Sequence, residues 1–167
     1  EDPLDLLVLN AGVTSTGPLL GHSLADWDWV YRTVVGGVVL GIHHFVPAMV
    51  SAGRGTVLLV GSQAGLVPDA YLDHGPYTSA KSAVIGLGLQ LNEELRDTGV
   101  TVCTLLPAGV STGFSASSRA GRDDAPVTDE PSAQIRPRPG MPAPTAGTPV
   151  FLSAEQVAGI ALDGVQR

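Results

Sequence analysis

Three continuous apolar runs constrain this chain more than anything else in it. They are LDLLVLNAG (4–12), TVLLVGS (56–62) and VTVCTLLPAG (100–109), each closed by small or turn-forming residues. A strand with one face in water alternates apolar and polar side chains, whereas a strand covered on both faces reads as an unbroken apolar run. Such strands belong to parallel sheets held between helices. Gly53 and Gly55 precede the second run, Gly99 precedes the third, and Pro107 closes it. The intervening segments carry helical patterns, so the order strand–helix–strand predicts a doubly wound, parallel α/β sheet.

The first helix is predicted from about Leu24 to Ser51, with Ser23 as N-cap and Asp26 in its first turn. It is rich in Val and Gly, which are poor helix formers, so packing must hold it. Pro47 is expected to kink it or to end its regular part. A second helix is predicted from about Tyr77 to Asp97. Ala80, Val84, Leu87, Leu91 and Leu95 share one face, and Ala83, Ile85 and Leu89 widen the stripe, as in a helix buried on more than one side. Seven of the thirteen prolines fall between Pro126 and Pro149 in a stretch with no hydrophobic period, which predicts a long loop. A short last helix, Ala154 to Val165, follows Ser153 as cap, with Glu155 and Gln156 in its first turn. No repeat or second domain is visible, so residues 1–167 read as one domain.

Composition narrows the function. Charged residues make up 15% of the chain, net charge is −7 and the pI is about 4.8, which argues against nucleic acid as a partner. Cys103 is the single cysteine, so no disulfide framework exists and a reducing cytoplasm is the simplest setting. No signal peptide is visible, and no uninterrupted apolar stretch reaches the about 20 residues that a bilayer requires. Neither membrane nor metal is expected: the carboxylates lack metal-like spacing, and His43 and His44 are adjacent rather than four apart.

In open parallel sheets, ligands bind beyond the carboxyl ends of the strands. There the runs end in Asn10-Ala11-Gly12, in Gly61-Ser62 and in Pro107-Ala108-Gly109-Val110-Ser111-Thr112, while Tyr77 and Lys81 open the helix after the second run. Tyr77 and Lys81 share a helix face. A free tyrosine loses its proton near pH 10, and a neighbouring ammonium favours the phenolate, so Lys81 is expected to lower the pKa of Tyr77. A tyrosine tuned in this way exchanges a proton with an alcohol or carbonyl oxygen, and the Ser62 hydroxyl is placed to hold that oxygen. Together they suit carbonyl–alcohol interconversion with a hydride-carrying cofactor. On its own, Tyr-x-x-x-Lys reads more readily as an aromatic packed on a helix start beside a solvated lysine. His74, three positions before Tyr77, reads as an exposed loop residue more readily than as a substrate contact.

In order and spacing, VLNAG (8–12), GTVLLVGSQAGL (55–66), YTSAKSAVIGL (77–87) and LLPAGVSTGF (105–114) resemble the successive motifs of the short-chain dehydrogenase/reductases. The resemblance covers nearly the whole chain and is weakest over 115–150. It implies a Rossmann-like domain working with NAD or NADP on a small-molecule alcohol or ketone. Tyr77 matches the catalytic acid/base, Lys81 its partner that also holds the nicotinamide ribose, and Ser62 the serine that orients the substrate oxygen. Asn10, Ala11 and Gly12 match the motif that supports the sheet beside the cofactor. Pro107, Val110 and Thr112 match the segment that holds the nicotinamide carboxamide. The loop 112–150 is expected to cover the substrate, and its Pro, Ala and Val content favours an apolar one. The family usually forms homodimers or homotetramers through its two long helices.

Three departures accompany the match. The family's first strand and its Gly-x-x-x-Gly-x-Gly turn, which cradles the pyrophosphate, are not in this sequence, so the residue that chooses NAD or NADP is missing with them. The chain opens at Glu1 directly into a strand and is expected to be an N-terminally truncated, partial domain. Val34 stands where the family usually carries an asparagine that holds a water linking the lysine to solvent. Pro107-Ala108 stands where the family has Pro-Gly. The competing expectation is a non-catalytic remnant that serves at most as a binding or oligomerisation partner.

Overall fold

The structure, a computed structural model, describes residues 4–114, 119–120 and 152–165. In chain order it contains β1 (Leu6–Leu9), β2 (Ser15–Thr16), α1 (Leu24–Tyr31), α2 (Gly37–Ala52), β3 (Gly55–Val60) and α3 (Gly75–Glu94). These are followed by β4 (Val100–Leu105), β5 (Val110–Ser111), β6 (Arg119–Ala120), β7 (Leu152–Ser153) and α4 (Ala154–Val165). The three predicted apolar runs form one parallel sheet in the order β1-β3-β4, with Leu7 opposite Val57 and Val57 opposite Val102. The fold is the Rossmann-like α/β arrangement expected. Two short parallel pairs, β2 with β6 and β5 with β7, lie outside this sheet. Most of the predicted loop, 115–118 and 121–150, lies outside the described residues.

The sheet shows why its strands read as unbroken apolar runs. Successive side chains point to opposite faces. Leu7, Val57 and Leu59 enter a core with Val30, Val34, Val38 and Met49 from the first helical region and Ala80, Val84 and Leu91 from α3. Val8, Leu58, Val60 and Leu105 line a cavity that α4 borders on its far side. One face therefore builds the core and the other builds a site.

The first helical region departs from the prediction. It is not one regular helix from Leu24 to Ser51. Ser23 caps α1 as expected, accepting from the Asp26 amide at 3.2 Å while the Asp26 carboxylate accepts from the Ser23 amide at 2.8 Å. Over Arg32–Gly36 the chain then widens into a π turn, with the Gly37 amide donating to the Arg32 carbonyl. Thr33, Val34 and Val35 crowd a regular turn, and Gly36 and Gly37 contribute little helix propensity. Pro47 does not end the helix, which runs to Ala52. His43 and Pro47 both lie on the exposed side, where water can satisfy the carbonyl that lacks its usual N–H partner.

The segment Leu24–Ala52 is also long and apolar enough to cross a membrane, contrary to the reading of the sequence. Its buried residues, among them Val30, Val34, Val38 and Met49, pack on the sheet and on α3, while Val39, Leu40 and Phe45 stay exposed. Gly53 ends α2 at φ 67°, and Gly99 turns into β4 at φ 79° directly against it. Any side chain at 99 would collide with the Gly53 carbonyl. This contact joins the end of α2 to the start of β4.

Candidate active site

The carboxyl ends of β1, β3 and β4 open onto a cavity of about 580 Å³. Its walls include Asn10 and Gly12 after β1, Ser62 after β3, Tyr77 and Lys81 from α3, and Pro107, Val110 and Thr112 after β4. Eight of the nine residues singled out from the sequence thus share one wall. The ninth, Ala11, is exposed on the same turn and does not line the cavity. Among the described residues that do, Lys81 is the single ionisable side chain other than the Tyr77 phenol.

Each side chain is placed by identifiable local forces. Ser62 begins a 3-10 turn over Gln63–Gly65, and its hydroxyl accepts from the Ala64 amide at 3.1 Å. The Gln63 amide donates to the Pro107 carbonyl at 3.0 Å, which ties this turn to the segment after β4. Pro76 stands in the first turn of α3, where a missing N–H does no harm, and Tyr77 follows it. One turn later Lys81 is 4% exposed and donates from Nζ to the Val60 carbonyl at 2.6 Å. The same Nζ lies 5.7 Å from the centre of the Tyr77 ring, within cation–π range.

Burial governs the protonation of this pair. It pulls the Lys81 ammonium down to about 8. It pushes the Tyr77 phenol above its ordinary value, and although a hydrogen bond with the Ser62 side chain opposes this, Tyr71 nearby adds to the rise. The expectation that Lys81 lowers the pKa of Tyr77 is therefore corrected: desolvation of the phenol outweighs what favours its ionised form. At neutral pH Tyr77 holds its proton.

Phe114 also belongs to the site, although the sequence reading assigns it no role. Its ring lies 5.5 Å from that of Tyr77 at an interplanar angle of 52° and lines the same cavity. An aromatic residue two positions after Thr112 was the available signal. The Lys81–Val60 bond had none, because a main-chain acceptor leaves no trace in composition. Val34, at the family's asparagine position, is 1% exposed, in the π turn and inside the apolar core. His74 lies outside the cavity wall, with Nδ1 2.7 Å from the Leu72 carbonyl.

The residues that the family resemblance assigns to the nicotinamide end of a dinucleotide come together here, apart from Ala11. Asn10, Gly12, Lys81 and Thr112 border one space, and a side-chain carbon at Gly12 would meet Lys81 Nζ at 3.7 Å. A pyrophosphate cradle is not among the described residues.

Comparison with known proteins identifies the family. The family model for short chain dehydrogenases matches residues 2–123. The C alpha-dehydrogenase of a Sphingobium strain is 38% identical over 117 residues, covering 68% of this chain and 37% of that protein. The 3-oxoacyl-[acyl-carrier-protein] reductase of Synechocystis is 31% identical and covers 93% of this chain and 59% of its own length. The mouse dehydrogenase/reductase SDR family member 4 is 34% identical and covers 94% and 55%. The crystal structure of the apo form of LigD, from Sphingobium strain SYK-6, matches with a TM-score of 0.59 and 35% identity, over 63% of this chain and 44% of that one. The chain thus spans between about a third and three-fifths of the length of these relatives. With the parallel sheet and the cavity at its carboxyl edge, the match over residues 2–123 establishes that the chain belongs to the short-chain dehydrogenase family.

Proposed function

We propose that this chain is the catalytic portion of an NAD(P)-dependent oxidoreductase that interconverts a secondary alcohol and a ketone. The observation that carries the reading is the convergence of Ser62, Tyr77 and Lys81 on one cavity whose remaining described wall is almost entirely uncharged. A bound nicotinamide supplies or accepts the hydride. The chain's own residues manage the oxygen and its proton. In reduction, the Ser62 hydroxyl donates to the substrate carbonyl oxygen. As hydride adds to the carbon, the C=O electron pair moves to oxygen, and Tyr77 delivers its proton there. Oxidation reverses these transfers and requires the phenolate. Because burial raises the phenol's pKa, oxidation is expected to gain with rising pH and reduction to persist at neutral pH. Lys81, held by the Val60 carbonyl, stabilises the phenolate as it forms and offers its ammonium to the ribose.

Val8, Leu58, Val60, Leu105 and Phe114 make the cavity suited to an uncharged, largely apolar substrate. Exposed Val39, Leu40 and Phe45 on α2 and Leu89 on α3 supply an apolar surface for a homodimer or homotetramer. A cytoplasmic setting fits the free Cys103. The test uses the full-length protein. Tyr77→Phe is expected to abolish turnover while NADH or NADPH affinity, followed by nicotinamide fluorescence, changes less than about threefold, since the phenol acts on the transition state rather than on binding. Unchanged turnover removes Tyr77 from the mechanism. Failure to bind either dinucleotide favours the reading as a non-catalytic remnant.

A further inference from the structure

Tyr77 lies in the first turn of a helix that begins without a side-chain cap: His74 at the cap position makes no capping bond. A cap is worth about 1 kcal/mol, and uncapped ends fray. Something else must hold this turn, because the position of the phenol depends on it. Alongside the packing of α3 on the turn after Ser62, holding contacts come from the loop after β1. The Gly17 amide donates to the Asp73 carbonyl at 2.8 Å, and Gly17 forms a parallel bridge with His74. Asp73 has φ 63°, the one non-glycine residue at positive φ among the described residues, so its carbonyl is aimed by an unusual backbone conformation that needs support. Leu19 packs so closely on Gly75 that any side chain there would meet it.

This loop is in turn held from inside by one imidazole. His22 Nε2 lies 3.1 Å from the Gly17 carbonyl, and His22 Nδ1 lies 3.1 Å from the Ser15 hydroxyl. The carbonyl can only accept, so Nε2 carries the proton, and in the neutral ring Nδ1 accepts from Ser15. Ser15 is 0% exposed, so its hydroxyl has little access to water. The imidazole thus fixes the same residue, Gly17, whose amide anchors Asp73.

We infer that His22 is a positioning residue: through Ser15, Gly17 and Asp73 it fixes the first turn of α3 and with it the Tyr77 phenol. The inference rests on the proposed role of Tyr77. His22 lies outside the cavity wall and touches no reacting atom. Its contribution should appear in kcat, with cofactor affinity unaffected.

The test compares His22→Leu, which keeps bulk but neither hydrogen bond, with His22→Gln, whose amide offers one donor and one acceptor. In the full-length protein, His22→Leu is expected to lower kcat by about tenfold or more, since a displacement near 1 Å at a reacting group can cost about a hundredfold. NAD(P)H affinity is expected to stay within about twofold, and His22→Gln to recover most of kcat. Amide hydrogen exchange, which needs no turnover, should speed up at Thr78–Lys81 in His22→Leu and return towards wild type in His22→Gln. Wild-type kcat and unchanged exchange at those amides in His22→Leu overturn the inference, as does a His22→Gln variant no better than His22→Leu. Tyr77→Phe run in parallel separates the two claims. If it stays active, the reading of Tyr77 fails. If it is dead while His22→Leu is fully active, only the role of His22 fails.

Discussion

Gly65→Ala tests whether the proposed catalytic groups are set by backbone packing. A Cβ built on Gly65 would lie 2.7 Å from the Lys81 carbonyl carbon, 2.8 Å from its oxygen and 2.8 Å from the Ser82 nitrogen. These are main-chain atoms of α3 and cannot rotate aside. Ordinary contact lies near 3.5 Å, so the turn after Ser62 and the helix bearing Lys81 must separate by about 0.7 Å. The Ser82 hydroxyl, which donates to the Gly65 carbonyl at 2.8 Å, resists that separation. Overpacking of this kind costs about 1–3 kcal/mol, and alanine returns at most about 1 kcal/mol through its better helical propensity. A net loss near 1–2 kcal/mol lowers Tm by about 2–8 °C for a chain of this size. Activity should fall further than stability, because the shift opens the gap between Ser62 and Lys81. A loss of about tenfold to a hundredfold in kcat is expected. The assay is urea and thermal unfolding, with nicotinamide absorbance for turnover in the full-length protein. Gly86→Ala is the control: nothing lies within 4 Å of its added carbon, and it should be neutral or slightly stabilising. If Gly65→Ala unfolds at the same midpoint as Gly86→Ala and keeps kcat within about twofold, the packing argument is wrong.

Two further outcomes follow from burial. Lys81 has a folded pKa of about 8 against an ordinary value of 10.5, so between these the unfolded chain binds more protons than the folded one and stability rises with pH. Denaturant titrations from pH 7.5 to 10.5 should show the wild type gaining on Lys81→Met across that window, and parallel curves would contradict it. Val34→Asn, which the family pattern would suggest as a repair of proton supply, places an amide in the apolar core, where Val34 is 1% exposed. It is expected to lower stability by about 2 kcal/mol in urea unfolding unless the π turn offers it a partner. A rise in turnover without that loss would show that the turn does so.

Much of the arrangement could be read in advance because the physics behind it is periodic. LDLLVLNAG, TVLLVGS and VTVCTLLPAG announced buried parallel strands, and the sheet places their ends, with Ser62, Tyr77 and Lys81, around one cavity. The cap at Ser23 was legible for the same reason, since a short polar side chain followed by Asp26 has a local partner. What escaped depends on distant partners or on competing terms of similar size. The π turn at Arg32–Gly36 reflects crowding and packing rather than pattern. The direction of the Tyr77 shift turns on how deeply the ring is buried, which its four-residue spacing from Lys81 does not reveal. The His22 bridge joins Ser15 to Gly17 across a loop with no period at all.

Val60 does two unrelated jobs with two different parts of itself. Its carbonyl accepts from Lys81 Nζ, while its side chain faces the cavity. The lysine is anchored to the part of the residue that every amino acid shares. The wall at position 60 can therefore be resized, by Ile, Leu or Ala, without altering the atom that holds the ammonium. A change of substrate range at this position is separable from the proposed acid–base chemistry, which makes it an economical place for selection, or an engineer, to begin.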